Sequence, residues 1–121
     1  MQYMALIYSD EEQWAALSDE DRDAAYGRYR DLVRDAEAAG VHAGGNELGP
    51  TRNVTTVRVR GDESFVTDGP YAEVKEALGG YFIFECGSID HAVDWAARIP
   101  GAEHGAVEVR PVHVDPEEAQ L

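Results

Sequence analysis

Gln2-Tyr3-Met4-Ala5-Leu6-Ile7-Tyr8 is the stretch that decides how this chain folds. Large apolar side chains fill both parities, Tyr3, Ala5 and Ile7 on one and Met4, Leu6 and Tyr8 on the other, as in a strand covered on both faces. Tyr81-Phe82-Ile83-Phe84-Glu85-Cys86 repeats the pattern. After the first strand, Asp10 to Leu17 predicts a short helical turn and Ser18 caps a longer helix, with Asp19, Glu20 and Asp21 where the helix dipole favours anions. Ala25, Tyr29, Leu32, Ala36 and Ala39 form its apolar stripe, and Gly40 closes it.

Residues 41–47 read as extended, ending at Gly49-Pro50. The alternation Val57-Arg58-Val59-Arg60 marks a half-exposed strand from Val54, turned by Gly61-Asp62-Glu63 into a partner at Ser64 to Thr67. Asp68-Gly69-Pro70 then leads into an expected helical piece, Tyr71 to Ala77, ended by Gly79-Gly80. Ser88 caps a helix with Ile89, Ala92, Val93, Ala96 and Ile99 inward, stopped by Pro100-Gly101. The last strand, Ala106 to Val114, contains Pro111 and so belongs at an edge or a bulge. Residues 1–114 are read as one domain and 115–121 as a flexible acidic tail.

This order predicts an α+β fold of ferredoxin-like type, an antiparallel sheet with two helices on one face. Two helices cover one face only, while both long strands are apolar on two. A second chain packed sheet against sheet, giving a homodimeric α+β barrel, would cover the other. The alternative is that the Tyr71 to Ala77 segment folds back over it.

Composition narrows the function. The 121 residues hold 10 Lys and Arg against 24 Asp and Glu, a net charge of −14, without any basic run, which argues against direct nucleic-acid binding. Cys86 is the only cysteine, so disulfides within the chain and Cys-based zinc sites are excluded and a reducing cytoplasm is expected. The opening residues lack a signal peptide's basic region and the roughly 20 apolar residues of a membrane span. Lys75 is the sole lysine among nine arginines, a bias that, with abundant alanine, fits a GC-rich bacterium.

Val66-Thr67-Asp68-Gly69-Pro70-Tyr71-Ala72-Glu73-Val74-Lys75-Glu76, followed by Leu78-Gly79-Gly80-Tyr81-Phe82, resembles the signature of the DGPF domain family, a branch of the YCII-related proteins, with Tyr71 where the name has Phe. Tyr3 to Tyr8, Trp95 to Pro100 and Val107 to Val112 extend the resemblance across residues 2–114. It implies the same dimeric barrel, and association with extracytoplasmic-function sigma factors. Related YCII proteins pair a His on the first helix with an Asp just before the proline that ends the second, and some are lyases. Here those positions hold Tyr29 and Ile99, so the pair does not carry over.

Asp68 is the candidate catalytic residue, since Gly69 and Pro70 would hold its carboxylate at a sheet end as a general base. It can equally cap the following turn by accepting backbone N–H bonds. Lys75 between Glu73 and Glu76 is either an anion anchor or an ordinary exposed lysine. Tyr8, Tyr29, His42, Gly69, Pro70 and Tyr81 complete the candidate ligand-binding set, with Tyr26 a further pocket tyrosine. His42, His91, His104 and His113 show no metal-binding spacing, and no cofactor motif is present. Two readings follow: a dimeric small-molecule-binding or regulatory domain, working with a sigma factor, or a cofactor-free lyase or isomerase built on Asp68.

Overall fold

A computed structural model describes residues 1–117. In chain order the elements are β1 (Gln2–Ser9), α1 (Glu11–Ala16), α2 (Asp19–Ala38), β2 (His42–Glu47), β3 (Thr55–Arg60), β4 (Glu63–Asp68), β5 (Ala77–Glu85), α3 (Ile89–Ala96) and β6 (Ala106–Pro111). Short 3-10 turns at Thr51–Asn53 and Pro100–Glu103 link them. The helix starts follow the capping logic. Asp10, Ser18 and Ser88 each accept a bond from a first-turn amide, at 2.9, 3.0 and 3.2 Å, and Gly40 leaves α2 in the left-handed region at φ 72°.

Four strands form an antiparallel sheet in the order β2-β5-β1-β6. Met4 lies opposite Ile83 and Leu6 opposite Tyr81, so each parity of β1 matches one parity of β5. Tyr3, Ala5, Ile7, Phe82 and Phe84 point to the helices and close the core with Leu32 and Ala36 of α2, Ala92 and Ala96 of α3, and Ile99. Burial of Ile7, Leu32, Phe82, Phe84 and Ile99, about 1.5–3 kcal/mol each, holds the layers together, the alanines adding less but allowing close approach. Gly105 lets β6 approach β1, because a Cβ there would meet the Tyr8 carbonyl oxygen at 2.0 Å.

β3 and β4 pair only with each other, as a hairpin turning through Gly61 at φ 61°. It stands off the main body: five of six residues in β3 and all six in β4 are exposed. Thr55, Val57, Val59, Ser64, Val66 and Asp68 share one face, and Thr56, Arg58, Arg60, Glu63, Phe65 and Thr67 the other.

Several expectations are corrected. Tyr71 to Glu76 is not helical but runs as exposed bends, and β5 begins at Ala77 and passes through Gly79-Gly80. One helical turn depends on packing to offset its nucleation cost, and beyond the contact of Tyr71 with Arg58 this exposed segment has almost nothing to pack against. For the same reason this segment does not fold back as a cover over the second sheet face. Ala39 is exposed as the C-cap of α2, and Ile89 and Val93 of the expected inner stripe are about 43% and 46% exposed. β6 ends at Pro111, on a sheet edge, although the Val112 N–H still donates to the Gln2 carbonyl at 2.9 Å. Of the expected tail, residues 118–121 lie outside the described residues.

Candidate functional site

The sheet face turned away from the helices carries Met4, Leu6, Tyr8, Tyr81 and Ile83, all half-buried, with no helix over them. Adjacent strands place polar groups against the two phenols. Asn46 Nδ2 donates to Tyr81 Oη at 3.0 Å. Glu108, two residues along β6 from Ala106, the partner of Tyr8, raises the Tyr8 pKa above its usual value, first through a side-chain hydrogen bond, then with desolvation and charge repulsion adding. Tyr8 is therefore a neutral phenol at physiological pH. An apolar surface with two oriented hydroxyls is the composition of a ligand-binding or interface surface.

Tyr29 and His42, placed with Tyr8 and Tyr81 on sequence grounds, lie on the helix side of the sheet. Both rings flank Phe82, Tyr29 stacked at 6.3 Å and His42 edge-on at 6.2 Å. The Gly101 N–H donates to Tyr29 Oη at 3.2 Å, where Gly101 has no Cβ that would crowd Ile7 and Tyr29. Burial raises the Tyr29 pKa, opposed by that backbone donor. His42 Nδ1 is buried with no hydrogen-bond partner among the described residues. Tyr26 is elsewhere again, packed edge-on against Trp14 with its hydroxyl donating to Glu47 at 2.9 Å.

Asp68, Gly69, Pro70 and Lys75 form a third locale, on and beside the hairpin. Asp68 is the exposed last residue of β4, and its carboxylate has no hydrogen-bond partner among the described residues. No helix follows for it to cap. Gly69 takes the left-handed φ of 108° that its position before Pro70 anticipates; its N–H donates to Val54 at 2.7 Å and its carbonyl accepts from Thr56 Oγ1 at 2.7 Å. These bonds fold Gly69-Pro70-Tyr71 over the arginine face, enclosing with Thr56, Arg58, Arg60, Phe65 and Thr67 a concavity of about 410 Å³. Asp68 belongs to the opposite, valine-bearing face, and Lys75 is exposed in the segment beyond. Arg58, Phe65 and Tyr71 of this concavity escaped the sequence reading, although the Val57-Arg58-Val59-Arg60 alternation already set both arginines on one face.

Cys86 is buried at the end of β5, and burial pushes its thiol pKa up, which leaves it a poor nucleophile. Among the described residues no three His, Cys, Asp or Glu side chains converge as metal ligands, and no helix is long and apolar enough to cross a membrane.

The YCII-related domain matches residues 1–114. The chain belongs to the YCII-related domain family. An uncharacterized protein of Rhizobium meliloti (strain 1021) is 35% identical over 114 residues, covering 93% of this chain and 92% of the relative. Within this YCII-related fold Tyr29 does meet the segment ending α3, through Gly101. The pair formed there is a phenol and a backbone amide, however, and Ile99 is fully buried among aliphatic groups. A His–Asp proton shuttle has no counterpart at those two positions.

Proposed function

We propose that this YCII-related protein, of the DGPF branch, is a small-molecule-binding or regulatory domain that works as a homodimer, two ferredoxin-like sheets facing each other in an α+β barrel. The carrying observation is the uncovered face of Met4, Leu6, Tyr8, Tyr81 and Ile83, on which the Tyr81 hydroxyl accepts from Asn46 and the Tyr8 phenol is kept neutral by Glu108. A face this apolar and continuous favours burial against a second copy, and the hydroxyls give the enclosed space its polar anchors. The strand order β2-β5-β1-β6, with the hairpin set aside, supports the ferredoxin-like assignment. The valine face of the hairpin, with Val57, Val59 and Val66 about 62%, 57% and 67% exposed, adds apolar surface that a dimer can bury.

A cytoplasmic location is part of this reading, and a free, buried Cys86 is compatible with it. With a net charge of −14, a regulatory role passes through a protein such as a sigma factor rather than through DNA. The lyase or isomerase alternative needs a proton-transfer partner for Asp68, and no side chain among the described residues hydrogen-bonds to it.

Light scattering tests the dimer. The wild-type chain should give twice the 13.3 kDa chain mass, and Leu6→Asp, which sets an unpaired carboxylate on the buried face, should give the monomer with its circular dichroism kept. A wild-type monomer from micromolar to millimolar concentration refutes the reading.

A further inference from the structure

The arginine face of the β3–β4 hairpin is not used by the dimer reading, and its features converge on one chemistry. We propose that this face binds a planar aromatic ring carrying an oxyanion, either a carboxylate or a phosphate.

The first argument is electrostatic. Of the ten Lys and Arg in a chain with 24 carboxylates, Arg22, Arg28, Arg34 and Arg98 pair with acids on the main body. Arg58 and Arg60 sit two residues apart on one strand face; Glu63 stands across from Arg60, whose guanidinium donates to the Val59 carbonyl at 2.9 Å, while Arg58 forms no ion pair among the described residues. Arg58, facing Phe65 rather than an acid, thus places a positive charge on a concavity whose lining holds no carboxylate, in an otherwise acidic protein.

The second is geometric. The Arg58 guanidinium lies over the Tyr71 ring at 5.0 Å from its centre. A guanidinium fork held over an aromatic ring keeps N–H groups free to donate to a carboxylate or phosphate. What places Tyr71 there is the loop itself: Gly69 at φ 108°, tied to Val54 and Thr56 by two 2.7 Å bonds, turns Pro70 and Tyr71 over the arginines. The fork is thus preorganised, which lowers the entropic cost of binding.

The third is the lining. Phe65 lies directly across from Arg58 and is about 47% exposed, and Tyr71 about 77%, so two aromatic rings stand open to a ligand ring beside the cations. Thr67, across from Thr56, brings a further hydroxyl to the same face. At about 410 Å³ the concavity accepts a one- or two-ring molecule.

The test is an amide-shift titration of the full-length protein with 2-naphthoate, phenyl phosphate, inorganic phosphate and the uncharged 2-naphthalenemethanol. Naphthoate or phenyl phosphate should shift the amides of Arg58, Phe65, Thr67 and Tyr71, and the tighter of the two identifies the oxyanion. The alcohol and inorganic phosphate, each lacking one half of the pharmacophore, should bind about tenfold more weakly. Arg58→Gln and Tyr71→Ala should each weaken binding about tenfold, Tyr71→Phe should keep it, and Arg34→Gln, which removes an exposed guanidinium on α2, should leave it unchanged. Cross-strand contacts between Val57 and Val66 report that the hairpin is intact; if Arg58→Gln loses them, Arg58→Lys keeps the charge without the fork and should still weaken binding. Shifts confined to other surfaces overturn the proposal. So does equal binding of the alcohol or of inorganic phosphate, or unchanged affinity in Arg58→Gln with the hairpin formed. Because the dimer reading rests on the sheet face of Met4, Leu6, Tyr8, Tyr81 and Ile83, a monomeric protein that still binds naphthoate here separates this site from that reading.

Discussion

Tyr29→Phe asks what the first-helix position does in a YCII-related chain that lacks histidine there. The substitution keeps the ring, and with it the stacking on Phe82 at 6.3 Å and 13°. It removes only the hydroxyl that accepts from the Gly101 N–H. A neutral hydrogen bond contributes about 0.5–1.5 kcal/mol net, and at 3.2 Å this one is long, but its loss leaves a partly buried N–H unpaired. The expected cost at neutral pH is about 1 kcal/mol, which for a chain of this size lowers Tm by about 4 °C. Alkaline pH supplies a second readout. Burial raises the Tyr29 pKa in the folded state, so above pH ~10 the unfolded chain ionises first. The contribution is complete below the unfolded pKa and lost as pH rises through the folded one, and Phe cannot show it. Urea unfolding of both proteins at pH 7, 9, 10 and 11 measures the effect. The stability gap between them should be constant up to pH 9 and narrow above pH 10. A variant as stable as wild type at pH 7, or a gap that does not change with pH, refutes the account of Tyr29 as a buried phenol bonded to Gly101.

Gly105→Ala should abolish β1–β6 pairing, because its Cβ would sit 2.0 Å from the Tyr8 carbonyl oxygen; insoluble protein or loss of strand signal in circular dichroism checks it. Gly69→Ala meets no atom within 4 Å, so its cost is the left-handed backbone alone, about 1–3 kcal/mol, and should appear as faster hydrogen exchange in β3 and β4 with the main sheet unchanged. Leu32→Ala, at a site about 2% exposed, should cost about 2–5 kcal/mol in urea unfolding, while Ala39→Ser at the exposed end of the same stripe should cost under 0.5.

The sequence by itself determined whatever rests on neighbours along the chain. Period-two and period-3.6 patterns located β1, α2, β5 and α3, and Ser18, Ser88, Gly40 and Gly61 marked helix ends and the hairpin turn because capping and positive φ are local requirements. The two-parity pattern of Tyr3 to Tyr8 was likewise enough to show that one sheet face would be left without helices. Tertiary structure alone decided which surfaces meet. Tyr71 to Glu76 carries helix-compatible residues but, apart from Tyr71 on Arg58, finds little surface to pack on, so it runs as exposed bends. Ile89 and Val93 complete an amphipathic stripe, yet α3 is covered only along Ala92 and Ala96. Asp68 and Gly69-Pro70 are adjacent in sequence and face opposite sides of the hairpin, whereas Tyr29 and Gly101, 72 residues apart, share a hydrogen bond. Spacing along a strand or helix fixes the direction of a side chain relative to its own backbone. What stands in that direction depends on how separately formed elements dock, and no local pattern encodes it.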